Sequence, residues 1–245
     1  MNKLALSLLI FEVAQPVVMG RQSNRASRSR SSVTFPSGLS LPVAKSLGKN
    51  NRKHRDPNRS GNVPLVTSGK YRKMKLSKNF TVGEFAQSGG NAFDVARIDP
   101  KFVMCLQRIR DDVGKPVRIN SGYRSEPYND ALYRARGQKP TRSQHISGRA
   151  ADIKVGRMTG TQIAEAAIDA CGTDIAIGLG RQYAHIDMRG HFRIWKYDVN
   201  NRQVAKVKRY RDANEMAQKK RARRTLTGSV SNQRVTRRVK STSRA

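Results

Sequence analysis

The sequence predicts an α+β domain with a small, mainly antiparallel sheet, flanked by disordered basic tails. Helical and strand patterns alternate through residues 76–200, and the last three strand patterns follow one another with glycine turns between them. Strands that succeed one another without crossover helices favour antiparallel pairing. The chain has 245 residues and a net charge of +32, and most of that charge lies outside this middle region.

The basic charge is concentrated at the two ends. Residues 1–75 contain 15 Lys and Arg against 2 acids, residues 201–245 contain 15 against 2, and residues 76–200 contain 19 against 13. Residues 20–75 are rich in Ser, Arg, Asn, Pro and Gly without a lasting apolar period. Such segments bury too little apolar surface to fold alone. We therefore expect a largely disordered basic arm over 1–75, one folded domain over 76–200 and a basic tail over 201–245.

The folded domain is predicted to begin at the stretch LSKNFTVGEF, whose Phe and Val side chains are candidate core anchors. The clearest helix follows it. Asp99 is its predicted N-cap, Pro100 suits the first helical position, and Gly114 ends it after an apolar stripe of period 3.6.

The remaining elements follow from the same signals. PVRINS predicts a strand, EPYNDALYRARG a helix stopped by Gly137, GRAADIKV a strand, and TGTQIAEAAIDACG a helix stopped by Gly172. Three further strands are predicted from their β-branched and aromatic residues, in the stretches DIAIGLG, QYAHIDMRG and FRIWKYD.

Two sequence features bear on the cellular compartment of the protein, but they do not determine it. Cys105 and Cys171 are too few for a disulfide framework, and we expect both to be buried thiols, with a bridge or a zinc role as the less favoured alternative. The stretch MNKLALSLLIFEVAQPVVMG is compatible with a signal peptide, although Glu12 interrupts its apolar run. The apolar run before Glu12 is too short to cross a membrane, because a spanning helix needs about 20 apolar residues.

Histidine and aspartate recur in two stretches with the spacing of a metal site. His145 precedes the predicted strand that contains Asp152, and either a metal or a direct His–Asp hydrogen bond explains that pair. In QYAHIDMRG, side-chain alternation puts His185 and Asp187 on one face of a strand. His145, Asp152 and His185 would then supply the three ligands of a hydrolytic zinc site with one position left for water. His191 and His54 are weaker candidates.

Three motifs in order, INSGYRS, SQHISGRAAD and YAHIDMRG, resemble those of the zinc D-Ala-D-Ala peptidases that share a fold with the hedgehog signalling domain. The sequence resembles in particular the murein endopeptidase and phage endolysin branch, whose last motif is His-x-Asp. The resemblance covers about residues 77–197 and leaves out the tails. It implies a hedgehog-like zinc fold and a peptidase that acts on the stem peptides of peptidoglycan.

Residue by residue, the resemblance places the zinc ligands on His145, Asp152 and His185. It places on Arg124 an arginine that holds a substrate carboxylate or polarises the peptide. Where several relatives carry a glutamate base, this sequence has Gln182, which cannot take up a proton. Asp187 is the remaining acid on that face, and it is predicted either to act as the base or to orient a ligand.

These observations favour zinc-assisted hydrolysis of a peptidoglycan peptide bond. An inactive zinc module used for binding and a basic nucleic-acid-binding virion protein are the alternatives. A peptidoglycan-cleaving domain with basic tails is typical of a phage protein that acts in lysis or is part of the virion. We therefore expect the protein in the host cytoplasm or in the virion, with action on the cell wall. The charge of the tails suits nucleic acid, which they would bind through phosphate contacts, and it equally suits an anionic wall polymer or lipid headgroups. The sequence does not indicate an oligomeric state.

Overall fold

The structure, a computed structural model, describes residues 32–44 and 63–242, with side chains described as far as residue 222. The helices of this part are α1 (Val82–Phe85), α2 (Pro100–Val113), α3 (Glu126–Arg134), α4 (Gly160–Cys171) and α5 (Asn201–Thr242). The strands are β1 (Ser32–Thr34), β2 (Ser40–Pro42), β3 (Leu65–Thr67), β4 (Gln87–Ser88), β5 (Asn91–Ala92), β6 (Val95–Arg97), β7 (Val117–Ser121), β8 (Ala150–Val155), β9 (Ala176–Leu179), β10 (Ala184–Asp187) and β11 (Arg193–Lys196).

A seven-stranded sheet carries the fold, with the strand order β11-β9-β10-β8-β7-β4-β5. Its neighbours pair antiparallel, except that β11 runs parallel to β9. Two smaller antiparallel pairs, β1 with β2 and β3 with β6, complete the strands of the described residues. The predicted α+β class with a mainly antiparallel sheet is confirmed.

Helices α2 and α4 pack against each other and bury their apolar stripes in one core. The predicted ends of α2 are confirmed. The Asp99 carboxylate accepts a hydrogen bond from the Lys101 amide at 2.9 Å, and Gly114 adopts the left-handed conformation (φ 62°) that ends a helix. Thr159 and Gln162 form a reciprocal capping box at the start of α4.

A disulfide joins Cys105 on α2 to Cys171, the last residue of α4. The prediction of two buried thiols was therefore wrong. The two cysteines are 66 residues apart in sequence, and the packing of α2 on α4 brings their Cα atoms to 5.1 Å. Nothing local to either cysteine signals that tertiary contact. A crosslink over so long a loop restricts the unfolded chain strongly.

Part of the predicted basic arm belongs to the fold. Residues 32–44 and 63–75 contain β1, β2 and β3, and they bury Phe35, Leu41 and Val66 in the core. Their alternation of apolar and polar residues is short and lies between basic segments whose composition predicts disorder. The sequence therefore did not predict these strands. The domain boundary predicted at residue 75 differs from the structure here.

The predicted basic tail begins as a helix that packs on the domain. Val207 of α5 is buried, and the Tyr210 hydroxyl donates a hydrogen bond to Asp169 at 2.7 Å. Arg211 donates to the Thr173 carbonyl and lies over the ring of Phe192. The first turns of α5 therefore contribute to the core, although most of their other side chains are polar.

The rest of the predicted arm, residues 1–31 and 45–62, and the last residues, 243–245, lie outside the described residues. The predicted signal peptide and His54 fall in that part of the chain. In the part that the structure describes, no helix has the length and apolar character needed to cross a membrane.

Candidate metal centre

His145, Asp152 and His185 meet on one face of the central sheet. Asp152 lies on β8 and His185 lies directly opposite it on β10, while His145 belongs to the loop that precedes β8. The alternation predicted for β10 is consistent with this register, because His185 and Asp187 both reach the site face. One atom from each of His145, Asp152 and His185 lies within 4.8 Å of the others.

The loop that carries His145 is held against the backbone of β6 and the start of α2. Gly148 has a φ of 71°, and a Cβ there would lie 2.3 Å from the Arg97 carbonyl oxygen, so the close approach requires glycine. The Asp99 amide donates to the Gly148 carbonyl at 3.1 Å, and Arg149 donates to the Asp99 carboxylate at 3.0 Å. The N-cap of α2 thus also fixes the position of the His145 loop.

The distances between the three donor atoms suit a tetrahedral ion. His145 Nε2 lies 3.1 Å from His185 Nδ1, His185 Nδ1 lies 2.9 Å from Asp152 Oδ1, and His145 Nε2 lies 3.5 Å from Asp152 Oδ1. Tetrahedral bonds of about 2.0–2.1 Å to zinc separate neighbouring ligand atoms by roughly 3.3 Å. Two imidazoles and one carboxylate are also ligand types that zinc prefers, so the residues present fit the ion that the sequence predicts.

The far ring nitrogens of both histidines face hydrogen-bond acceptors. His145 Nδ1 lies 2.6 Å from the Gly122 carbonyl oxygen, and His185 Nε2 lies 3.1 Å from Asp187 Oδ2. Because a carbonyl and a carboxylate can only accept, these nitrogens carry the proton. In each neutral ring the lone pair then lies on the nitrogen that faces the other two donors, which is the tautomer a metal requires.

Burial and charge favour the metal-binding protonation states of His145 and Asp152 but oppose that of His185. Burial lowers the pKa of His145 to about 4, so this ring is neutral at neutral pH. Burial would raise the pKa of Asp152, but His145 and His185 hold it well below its usual range. Burial also opposes a charge on His185, yet its hydrogen bonds to Asp152 and Asp187 outweigh this and raise its pKa. Metal binding at His185 therefore competes with a proton.

Arg124 reaches the site through Asp152. Its Nη2 donates to Asp152 Oδ2 at 2.5 Å, and its Nε donates to the hydroxyl of Ser121 at 2.9 Å. Oδ1 of Asp152 remains directed at the two histidines. These contacts use two of the five N–H groups of the guanidinium, and the side chain is 15% exposed.

Asp187 is fully buried and is held by a residue that the sequence analysis did not identify. Arg189 donates to both of its oxygens, from Nε at 2.8 Å and from Nη2 at 2.5 Å. Burial alone would raise the pKa of Asp187, but the hydrogen bonds from Arg189 and His185 lower it. Arg189 stands two residues after Asp187, so the period-2 alternation of β10, extended past its end, was the signal that could have identified it.

Aromatic rings flank the metal centre on the side of β11, and these also went unidentified. The ring of Trp195 lies 5.2 Å from that of His185, and Arg189 lies over the same indole. Tyr197 contacts Trp195 and stacks on Tyr183. The closing FRIWKY stretch contains two of these rings, but they become site residues only through the pairing of β11 with β9.

Comparison with known families agrees with this geometry. Residues 78–187 match the family model described as Peptidase M15, and the match includes His145, Asp152, His185, Arg124 and Asp187. No curated protein matches the chain.

Replacing any one of the three donors should remove the metal. We expect about one zinc per chain in the wild type and loss of most of it in His145→Ala, Asp152→Ala and His185→Ala, since a structural or hydrolytic zinc site needs at least three protein ligands. Elemental analysis after dialysis measures this. His191→Ala is the control. Because His191 is exposed and is not one of the three donors, this variant should keep its zinc. Unchanged zinc in all three variants would rule out this site.

Proposed function

Because residues 78–187 match the model of the peptidase M15 family, we propose that this protein is a zinc-dependent peptidase that hydrolyses a peptide bond in the stem peptides or crossbridges of peptidoglycan. The convergence of two imidazole nitrogens and one carboxylate oxygen within 3.5 Å of one another supports this proposal most directly. The family supplies the reaction class, and the donor set supplies the residues that would perform it.

His145, Asp152 and His185 would hold the zinc ion. When bound, zinc lowers the pKa of a water ligand towards neutrality and polarises a carbonyl oxygen. The protein keeps the donors ready for this task. The carbonyl of Gly122 and the carboxylate of Asp187 fix the ring tautomers, and the register of β8 and β10 fixes the separation of Asp152 and His185.

Arg124 is proposed to have two tasks. It orients Asp152 and neutralises part of its charge through the contact with Oδ2. The N–H groups that it does not use for Asp152 and Ser121 are available to a carbonyl or carboxylate of the substrate. A planar guanidinium suits this combination, because it donates in several fixed directions at once.

For Asp187 the geometry favours the orienting role over that of a general base. Its two oxygens accept from Arg189, and one also accepts from the ring of His185. A base needs a free lone pair near the reacting water and a pKa close to the working pH, whereas the pKa of Asp187 is lowered. We propose that Asp187 holds His185 in its metal-binding tautomer, which raises the basicity of that ligand.

A second proposal concerns the basic segments, which would bind a polymer with repeating phosphates. At 3.6 residues per turn, Arg202, Arg209 and Lys220 share the side of α5 opposite Val204 and Val207, which pack on the core. All three basic side chains are exposed. Duplex DNA in a phage particle and an anionic wall polymer both offer such phosphates, and they correspond to the virion and lysis roles.

The hydrolase proposal predicts cleavage of purified muropeptides by the zinc-loaded protein. Mass spectrometry of the products should show two fragments whose masses sum to the substrate plus one water. His185→Ala, which removes a zinc donor, should give no cleavage above background. Intact muropeptides after incubation with a protein shown to contain zinc would instead support the inactive binding module.

Asp187→Asn separates the orienting role from the base role. If Asp187 orients His185, zinc affinity should fall about 10- to 100-fold, and saturating zinc should restore most of the hydrolysis. Arg189→Gln should change zinc affinity in the same direction, since it releases Asp187. Zinc affinity should be measured by competition with a chelating dye. Unchanged affinity together with a roughly 100- to 10,000-fold lower rate at saturating zinc would identify Asp187 as the base.

The basic face of α5 can be tested in the full-length chain. Arg202→Gln, Arg209→Gln and Lys220→Gln combined should weaken binding to duplex DNA or to an anionic wall polymer. The slope of log affinity against log salt should become shallower by about 0.9 for each lost phosphate contact with DNA. Lys101→Gln, Arg108→Gln and Lys115→Gln together remove the same charge from exposed positions around α2 and serve as the control. Equal affinities of the two triple variants would exclude α5 as the binding face.

A further inference from the structure

A column of small residues runs along β9 on the face of the metal centre. Gly178 pairs with His185 on one side and with Trp195 on the other, so these side chains share one face of the sheet. Ala176, two residues before Gly178 on β9, faces the same way, and Gly180 immediately follows the strand. Between β10 and β11, the sheet therefore presents backbone where other strands present side chains.

Three aromatic rings occupy the space above this column. A Cβ at Gly178 would lie 2.7 Å from the ring of Tyr197 and 2.8 Å from that of Trp195, and a Cβ at Gly180 would lie 2.3 Å from the ring of Tyr183. Non-bonded heavy atoms do not come this close to a Cβ atom. The rings can therefore occupy these positions only because both residues are glycine. We call Tyr183, Trp195 and Tyr197 the aromatic platform.

The aromatic platform is continuous with the metal centre. Its inner member, Trp195, lies 5.2 Å from the ring of His185. Tyr183 and Tyr197 are stacked at 5.7 Å with an interplanar angle of 27°. Tyr197 is 46% exposed, and Tyr183 and Trp195 are partly exposed. Arg124 contacts Asp152, and β8 lies on the opposite side of β10 from β9, so the guanidinium and the platform flank the donor set from two sides.

We propose that the aromatic platform is a subsite for a pyranose ring of the glycan strand, so that the enzyme binds a stem peptide together with the sugar that carries it. This inference rests on the proposed function for the identity of the polymer. Stem peptides offer carboxylates, amines and methyl groups, and the guanidinium of Arg124 suits the first of these.

The glycan offers saturated rings with C–H faces and hydroxyl rims. Tyrosine and tryptophan match such a group, because their rings are apolar and their edges carry O–H and N–H donors. Binding sites for small polar ligands combine aromatic walls with a few such polar atoms. The glycan is therefore the part of the polymer whose chemistry the platform fits, and a sugar bound there would direct its attached peptide across His185 towards Arg124.

Trp195 is the single tryptophan of the chain, so the platform carries its own optical signal. Full-length protein should be titrated with peptide-free oligosaccharides of alternating N-acetylglucosamine and N-acetylmuramic acid while tryptophan emission is recorded. We expect a saturable change in emission. Tyr197→Ala should weaken the affinity about three- to tenfold, the range expected for loss of one ring contact. Tyr197→Phe keeps the ring and should stay within about twofold of the wild type.

Met216→Ala is the matched control, because it removes a side chain that is 72% exposed on α5, outside the platform, and it should bind like the wild type. No change in emission, or equal affinities of the Tyr197→Ala variant and the wild type, would overturn the subsite. A sugar-free stem peptide that displaces the oligosaccharide from Trp195 would also overturn it, because the platform would then bind peptide.

The titration is independent of hydrolysis, so the two proposals fail separately. Oligosaccharide binding that depends on Tyr197, in a protein that cleaves no muropeptide, would keep the subsite and contradict the hydrolase. In a protein that cleaves muropeptides, the ratio of kcat/KM for a sugar-bearing substrate to that for the same free peptide should exceed one. That ratio should fall towards one in Tyr197→Ala, and a ratio unaffected by this substitution would count against the subsite.

Discussion

The antiparallel register between β8 and β10 is the constraint on which the site depends. It sets His185 directly opposite Asp152, and directly opposed residues on antiparallel strands have Cβ atoms about 4.5–5.5 Å apart. A shift of one residue would turn His185 into the core and bring Ala184 or Ile186 to the site face. The alternation of small apolar and polar residues on β10 prevents this, because Ala184 and Ile186 are fully buried.

Two arginine–aspartate pairs make the buried charges of the site tolerable. Asp152 is partnered by Arg124, and Asp187 is partnered by Arg189 through two parallel hydrogen bonds. A buried carboxylate without such partners would take up a proton instead of staying charged. Arg189 thus keeps Asp187 ionised as the acceptor for the ring proton of His185, and Arg124 adds its charge to the two histidines that keep Asp152 ionised. The electrostatic pattern, as well as the distances, is that of a prepared cation site.

The parts of this structure that sequence could predict are those with local causes. The ends of α2 follow from a cap, a proline and a glycine, and the donor residues follow from three motifs and the alternation of one strand. The features that escaped prediction depend on tertiary contacts. Cys105 meets Cys171 only because two helices pack, Trp195 approaches the site only because β11 pairs with β9, and the β1–β3 segments fold only against a core formed later in the chain.

We propose that the imidazoles of His145 and His185 and the carboxylate of Asp152 bind one zinc ion. X-ray absorption spectroscopy at the zinc edge of the zinc-loaded protein is the decisive measurement. The predicted result is a four-coordinate shell of nitrogen and oxygen at about 2.0–2.1 Å, with outer-shell scattering from two imidazole rings. A shell that contains sulfur, or outer-shell scattering from fewer than two imidazole rings, would contradict this proposal.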